Sequence, residues 1–348
     1  MPPPGAFIDT SEYRRLNFNL QDRRLVAAKD LATAGKVSLL STTISVREVK
    51  SLMGRSVAEA YSILKGGNLA PLKSIPDHRL NLIREPPVVK DLVETWEHAF
   101  DEFLGSSAHT CLDSGVADTA TIFDDSFGAR PPFDTDKKKS EFPDAFTLKT
   151  LEHWARDNNQ GLYVIGPDRD LKRYCEANDG IEYFEKIEAF LDHANRQDVS
   201  VQDMDTLSAD VEAAVAAYVE DNFDDLEFTL KYNTHGEVGS LDVDYIEIEE
   251  IYALEVTNGS VNGEADVRVE FTAGFSYEDY DNGYYDNESG TWLMLETVEG
   301  QAQDATQISV GFMFTKDVGG NAVITDLEIQ DRVVEVEEED RGDYGAYK

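Results

Sequence analysis

Leu162-Tyr163-Val164-Ile165-Gly166-Pro167-Asp168-Arg169-Asp170-Leu171 is the stretch on which the reading of this chain turns. Four apolar residues make a short buried strand. The first acids after it, Asp168 and Asp170, open a helix that runs to Ala177. In open sheets of parallel strands, sites form beyond the carboxyl ends of the strands. An acid at that point is therefore worth following outward.

The same order recurs toward the N-terminus. Ala6-Phe7-Ile8 ends at Asp9-Thr10-Ser11, and a helix over 21–34 follows. Val37 to Leu40 is the next apolar run, before a helix opening at Ile44 and a second from Ser56 to Lys65. Val88 to Leu104 reads as a long helix, and residues 105–136, rich in Gly, Ser, Asp and Pro, read as a long loop. Helices at Glu141–Asn158 and Glu185–Asn195 bracket strands at 162–165 and 181–184. Short strands alternating with helices predict βαβ units and a largely parallel sheet.

After about residue 226 the hydrophobic period becomes two. Val267, Val269, Phe271, Ala273 and Phe275 alternate with polar residues, as do Ile308, Val310, Phe312 and Phe314. Asn258-Gly259 and Gly319-Gly320-Asn321 stand where hairpin turns belong. The expected division is an α/β domain over 1–198, a connecting helix over 199–225, and a mainly antiparallel β domain over 226–348. The tail from Glu335 reads as a solvated acidic end.

Charge separates the same regions. The 348 residues carry 31 Lys and Arg against 69 Asp and Glu, a net of −38. Residues 1–90 are net +6, residues 91–200 net −13 and residues 201–348 net −31. The last region repels a nucleic-acid backbone and fits a basic protein partner or self-association. Two distant cysteines, Cys111 and Cys175, exclude a disulfide scaffold. No run approaches the ~18 apolar residues of a membrane span. Met1-Pro2-Pro3-Pro4-Gly5 lacks the features of a secretory signal, so a cytoplasmic location is expected.

Each candidate acid has an ordinary structural reading beside a chemical one. Asp9 and Asp168 are well placed to cap the helices that follow them. Glu141 and Asp144 extend the apolar stripe of Leu148, Leu151 and Ala155, where they either complement the helix dipole or face a cation. Ser45-Val46-Arg47-Glu48 reads as a capping box, with Ile44 and Val49 as its hydrophobic staple. Clustered carboxylates without cations repel one another and hold their protons. Hard divalent ions such as Mg²⁺ or Mn²⁺ remove that conflict.

Other chemistries lack support. The six histidines form no close pair, no glycine-rich phosphate loop is present, and the spacing of Asp279 to Asp286 does not fit an EF-hand, so it reads as a hairpin turn.

Four stretches in this order resemble the PIN-domain family of metal-dependent ribonucleases: Phe7-Ile8-Asp9-Thr10-Ser11, Thr43-Ile44-Ser45-Val46-Arg47-Glu48-Val49, Glu141-Phe142-Pro143-Asp144-Ala145-Phe146, and residues 162–171. The resemblance covers about residues 5–193. It implies a PIN-like α/β fold, with Asp9, Glu48, Asp144 and Asp168 as catalytic acids and metal ligands. Glu141 and Asp170 would assist in holding one or two Mg²⁺ or Mn²⁺. It implies hydrolysis of RNA by metal-activated water, with DNA as an open alternative, and a toxin or defence role. One departure stands out: the family usually has Ser or Thr two residues before its last Asp, and this chain has Gly166.

Lys137-Lys138-Lys139, just before the Glu141 helix, is either a solvated charge run or a grip on phosphate. Arg14, Arg15, Arg23 and Arg24 would extend the same nucleic-acid-binding surface. The rival reading is a non-catalytic interaction protein, whose acidic β domain binds a basic partner or mimics nucleic acid.

Overall fold

The computed structural model describes residues 3–66, 69, 75, 78, 88–106, 108–133, 141–233, 235–280, 283–286, 288 and 291–338. These form two compact units that divide between Ala194 and Asn195.

The first unit is built on a five-stranded parallel sheet in the order β3-β2-β1-β4-β5. Its strands are β1 (Gly5–Ile8), β2 (Ser38–Thr42), β3 (His109–Leu112), β4 (Leu162–Ile165) and β5 (Ile181–Phe184). β1 lies in the middle, every residue of it buried, paired with β2 through Phe7 and Leu40 and with β4 through Ile8 and Ile165. Helices α1 (Thr10–Arg15), α2 (Arg23–Thr33), α3 (Thr43–Gly66), α4 (Val89–Ser106), α5 (Thr119–Phe127), α6 (Phe142–Asn158), α7 (Arg169–Glu176) and α8 (Ile187–Asn195) accompany the sheet. The apolar runs read from the sequence are runs because helices cover the sheet. Phe7, Leu40 and Val164 pack with Leu148 and Leu151 of α6 and Leu171 and Tyr174 of α7 in one buried cluster.

Two local expectations change. The two helices expected between Ile44 and Lys65 are one continuous helix, α3, since the stretch contains no residue that must break it. Residues 105–136 are not a plain loop: they contain the edge strand β3 and the helix α5, capped by Asp118 on the amides of Ala120 and Thr121. A four-residue edge strand carries too little periodicity to be read from composition.

The second unit is a four-stranded antiparallel sheet in the order β12-β11-β8-β7. β7 (Glu237–Thr257), β8 (Ser260–Asp279) and β11 (Glu296–Lys316) have 21, 20 and 21 residues, and β12 (Ala322–Ile329) is shorter. Asn258 and Gly259, at φ 54° and 83°, close the β7–β8 hairpin with Thr257 opposite Ser260. Both central residues need positive φ, which Asn and Gly supply. β7 is a long edge strand, but its register shifts at four places along β8, and its exposed side carries acids that oppose pairing with another chain.

Residues 199–225, expected as one connecting helix, form α9 (Val199–Thr206), α10 (Ser208–Asn222) and a last short turn. Val201, Met204, Val211, Val215 and Val219 are buried with Val267, Val269 and Phe271 of the sheet, so these helices belong to the core of the second unit.

The acidic tail also needs correction. β13 (Val333–Val336) pairs in parallel with β6 (Glu227–Leu230), and Val334 and Val336 are buried. Glu338 is buried too, accepting hydrogen bonds from the backbone amides of Lys231, Tyr232 and Asn233 at 3.0, 2.9 and 2.7 Å. A carboxylate with three amide donors is satisfied without water, which a reading of charge alone cannot see. Among the described residues, no helix is long and apolar enough to cross a membrane.

Candidate nuclease site

The strand order places a topological switch point at β1. The chain leaves β1 for β2 on one side, and β4 lies on the other, the arrangement in which open parallel sheets build sites beyond the carboxyl ends of such strands. Asp9 is the first residue after β1 and Asp168 follows β4 by three. The Asp9 amide donates to the Ile165 carbonyl at 2.8 Å, which ties the two strand ends together.

Both acids also cap. Asp9 is the N-cap of α1, its Oδ2 accepting from the Ser11 amide at 2.9 Å. Asp168 is the N-cap of α7, its Oδ1 accepting from the Asp170 amide at 2.6 Å. The structural and chemical readings of these residues are therefore compatible, because each cap uses one carboxylate oxygen and leaves the other.

Glu48 is a different case. The capping box expected at Ser45 and Glu48 forms one turn earlier. The Thr42 hydroxyl accepts from the Ser45 amide at 3.0 Å, and the Ser45 hydroxyl accepts from the Thr42 amide at 2.9 Å. Thr42 is the cap and Ser45 its reciprocal partner, so Glu48 has no capping task. The Thr42 hydroxyl also meets that of Thr147 on α6 at 3.1 Å, inside the protein. That contact links the start of the helix carrying Glu48 to the helix whose first turn carries Asp144.

The electrostatics identify which acids act on one another near these strand ends. Burial and the charges of Asp9, Glu48, Asp168 and Asp170 push the Asp144 carboxyl up to about 8. Burial raises Glu48 as well, aided by Asp9 and opposed by Arg55. Asp9 is raised by burial, against the hydrogen bonds from Ser11, with Asp168 adding to the rise. Five of the six predicted acids thus act on one another. The sixth, Glu141, is buried at the N-terminus of α6. Asp170 is also ion-paired with Arg173 one turn along α7.

The coupled donors are all carboxylate oxygens, which suits a hard divalent cation. Among the described residues, no group of three or more His, Cys, Asp and Glu side chains already stands as a ligand set.

Two contacts lay beyond the sequence reading, which took Gly166 only as a departure and gave Ser11 no role. Gly166 is buried against Asp9: a Cβ there would lie 2.7 Å from the Asp9 Cβ and 3.4 Å from the Ser11 hydroxyl. The Ser11 hydroxyl itself donates to Asp9. The hydroxyl expected at position 166 beside Asp168 is absent, and the one at position 11 serves Asp9 instead. An Asp followed two residues later by Ser is a local pattern from which that bond was readable.

The basic residues divide. Arg14 is exposed. Arg15 pairs with Glu12 and with Glu188 at 2.8 and 2.7 Å, and Arg24 pairs with Asp22 and Glu188, both at 2.8 Å. Glu12 and Glu188 are buried, so Arg15 and Arg24 are engaged in holding α1, α2 and α8 together. Lys137, Lys138 and Lys139 lie outside the described residues. The two cysteines are free, Cys111 exposed and Cys175 buried, and burial lowers His109 to about 4, leaving it neutral.

Residues 6–171 match a family model described as PIN domain. No curated protein and no solved structure matches the chain.

Proposed function

We propose that this chain, whose residues 6–171 form a PIN domain, is a Mg²⁺- or Mn²⁺-dependent nuclease that hydrolyses RNA phosphodiesters. One observation carries the proposal. Asp9, Glu48, Asp144 and Asp168 come from four separate elements to the switch point of the sheet, where burial and mutual repulsion push the Asp144 carboxyl up to about 8. Carboxyl groups perturbed by burial and by one another beside a sheet's switch point are a mark of functional sites.

Asp9, Glu48, Asp144 and Asp168 would hold one or two ions, with Asp170 and Glu141 in support. An ion bound there supplies an activated water and neutralises charge on the phosphate. Ser11 holds one oxygen of Asp9, and the Asp170 amide holds one oxygen of Asp168, which fixes the direction of the remaining oxygens. Exposed Arg14 and the Lys137–Lys139 run provide positive charge for the phosphate backbone. Arg15, held by two glutamates, contributes to the position of α1 instead. By resemblance, the setting is a cytoplasmic toxin or defence effector.

The test is incubation of the purified chain with single-stranded RNA, structured RNA and single-stranded DNA, with Mn²⁺ and with chelator. RNA cleavage that requires Mn²⁺ and is lost in Asp9→Asn and Asp144→Asn supports the reading. Chelator-insensitive cleavage, or wild-type cleavage by either variant, overturns it. Cleavage of DNA alone would reassign the substrate.

A further inference from the structure

The β8–β11 hairpin does not end where its strands do. Beyond Asp279 and Glu296, which are directly opposite, a smaller pair continues it: β9 (Tyr284–Asp286) and β10 (Thr291–Leu293). Trp292 lies opposite Tyr285, their ring centroids 5.2 Å apart at 61°, and Tyr280 meets the same indole at 5.3 Å and 75°. These rings are not core. Trp292 is 42% exposed, Tyr285 44% and Tyr284 64%, with Leu293 and Met294 also exposed beside them.

A cluster of open aromatic rings is an unusual surface to show to water, and when rimmed by polar groups it marks an interaction site. The rim is of one sign. Residues 276–300 include seven Asp and Glu and no Lys or Arg. Glu278, Glu288 and Glu296 are exposed on it.

We infer that this hairpin tip is a docking surface for a basic, unstructured polypeptide segment. Charge complementarity selects that occupant. The faces of indole and phenol rings carry negative potential, and a guanidinium or ammonium group stacks on them while the flanking carboxylates neutralise it. Trp and Tyr are also the residues that most often dominate binding energy at interfaces. Nucleic acid and anionic membranes are repelled by the same rim. A second copy of the tip would bring like charges together. The inference does not depend on the nuclease reading.

The experiment is isothermal titration of the full chain with an alternating Arg-Gly dodecapeptide at about 0.15 M salt. A Glu-Gly peptide of the same length serves as the reverse-charge control. Net charge alone would attract the basic peptide, so the aromatic dependence decides. Trp292→Ala should weaken binding about tenfold and Tyr285→Ala somewhat less, with Trp292→Phe retaining most of the affinity. Glu247→Gln combined with Glu328→Gln, removing two exposed charges from the sheet edges, should change it less than about twofold. Unchanged affinity in Trp292→Ala overturns the inference. So does an equal loss in the double Gln variant. A dimer in sedimentation that Trp292→Ala disperses would assign the tip to self-association, and binding to neutral phosphatidylcholine vesicles would assign it to membranes. Either result also overturns it. Trp292 is at the surface, so the variant should keep the far-ultraviolet circular dichroism of the parent.

Discussion

Gly166 and Asp9 are in van der Waals contact across the ends of β4 and β1, so close that no side chain fits between them. A Cβ at 166 would approach the Asp9 Cβ to 2.7 Å. The glycine therefore brings the end of β4 against the carboxylate that follows β1, and the Ser11 hydroxyl occupies the adjoining space.

Gly166→Ala should accordingly displace Asp9. Overpacking of this kind costs about 1–3 kcal/mol. Divalent-ion affinity should fall with it, since the Asp9 carboxylate leaves its hydrogen bonds to Ser11. Denaturant melts and Mn²⁺ titration of the variant test this, and unchanged values in both would mean the strand ends can part freely.

Asp144 gives the site a pH signature. Unfolded, its carboxyl loses the proton near 3.8; folded, it keeps it to about 8. Between those values the folded chain binds more protons, so stability in chelator should fall as pH rises across that window. Asp144→Asn should flatten the slope and be more stable than the parent at pH 8, as read by urea melts. A steeper slope in the variant would contradict the assignment.

Thr42, Ser45 and Glu48 separate capping from chemistry. Ser45→Ala removes a reciprocal cap and should cost about 1 kcal/mol. Glu48→Gln removes no cap and relieves repulsion with Asp9, so stability should hold or rise while metal binding weakens. A Glu48→Gln loss as large as that of Ser45→Ala would return Glu48 to the capping role.

Glu188 is the hub of the ion-pair network under α1 and α2. Its carboxyl is held below its usual range by Arg15 and Arg24, although burial opposes this. Glu188→Ala leaves both guanidinium groups without it, and about 3 kcal/mol of stability should be lost. Thermal melts at low and high salt read the effect. Tolerance of this change would free Arg15 for phosphate.

In the second unit, Glu338→Ala removes the acceptor of three backbone amides and should cost about 2 kcal/mol. Hydrogen exchange at Lys231, Tyr232 and Asn233 should accelerate, and protected amides there would place the cap elsewhere.

Much of this molecule was legible in one dimension because its signals are local. Apolar runs ending in acids marked β1 and β4, since a strand covered on both faces must be apolar throughout. Period-two alternation marked β8 and β11, since one face of that sheet is solvated. Asn258-Gly259 marked a turn by the φ angles it alone adopts cheaply. Residue types and order were enough to nominate Asp9, Glu48, Asp144 and Asp168. Tertiary structure decided everything that depends on two distant segments meeting. Thr42 displaced Ser45 as the cap of α3, and Thr147, far along the chain, met it. Glu188 claimed Arg15 and Arg24. Glu338 found three amides more than a hundred residues away, and Gly166 proved to be a close approach instead of a missing hydroxyl. Except for the Thr42–Ser45 pair, which is local, the deciding quantity was a distance between groups remote in sequence, set by how helices pack on the sheet or by which strands pair.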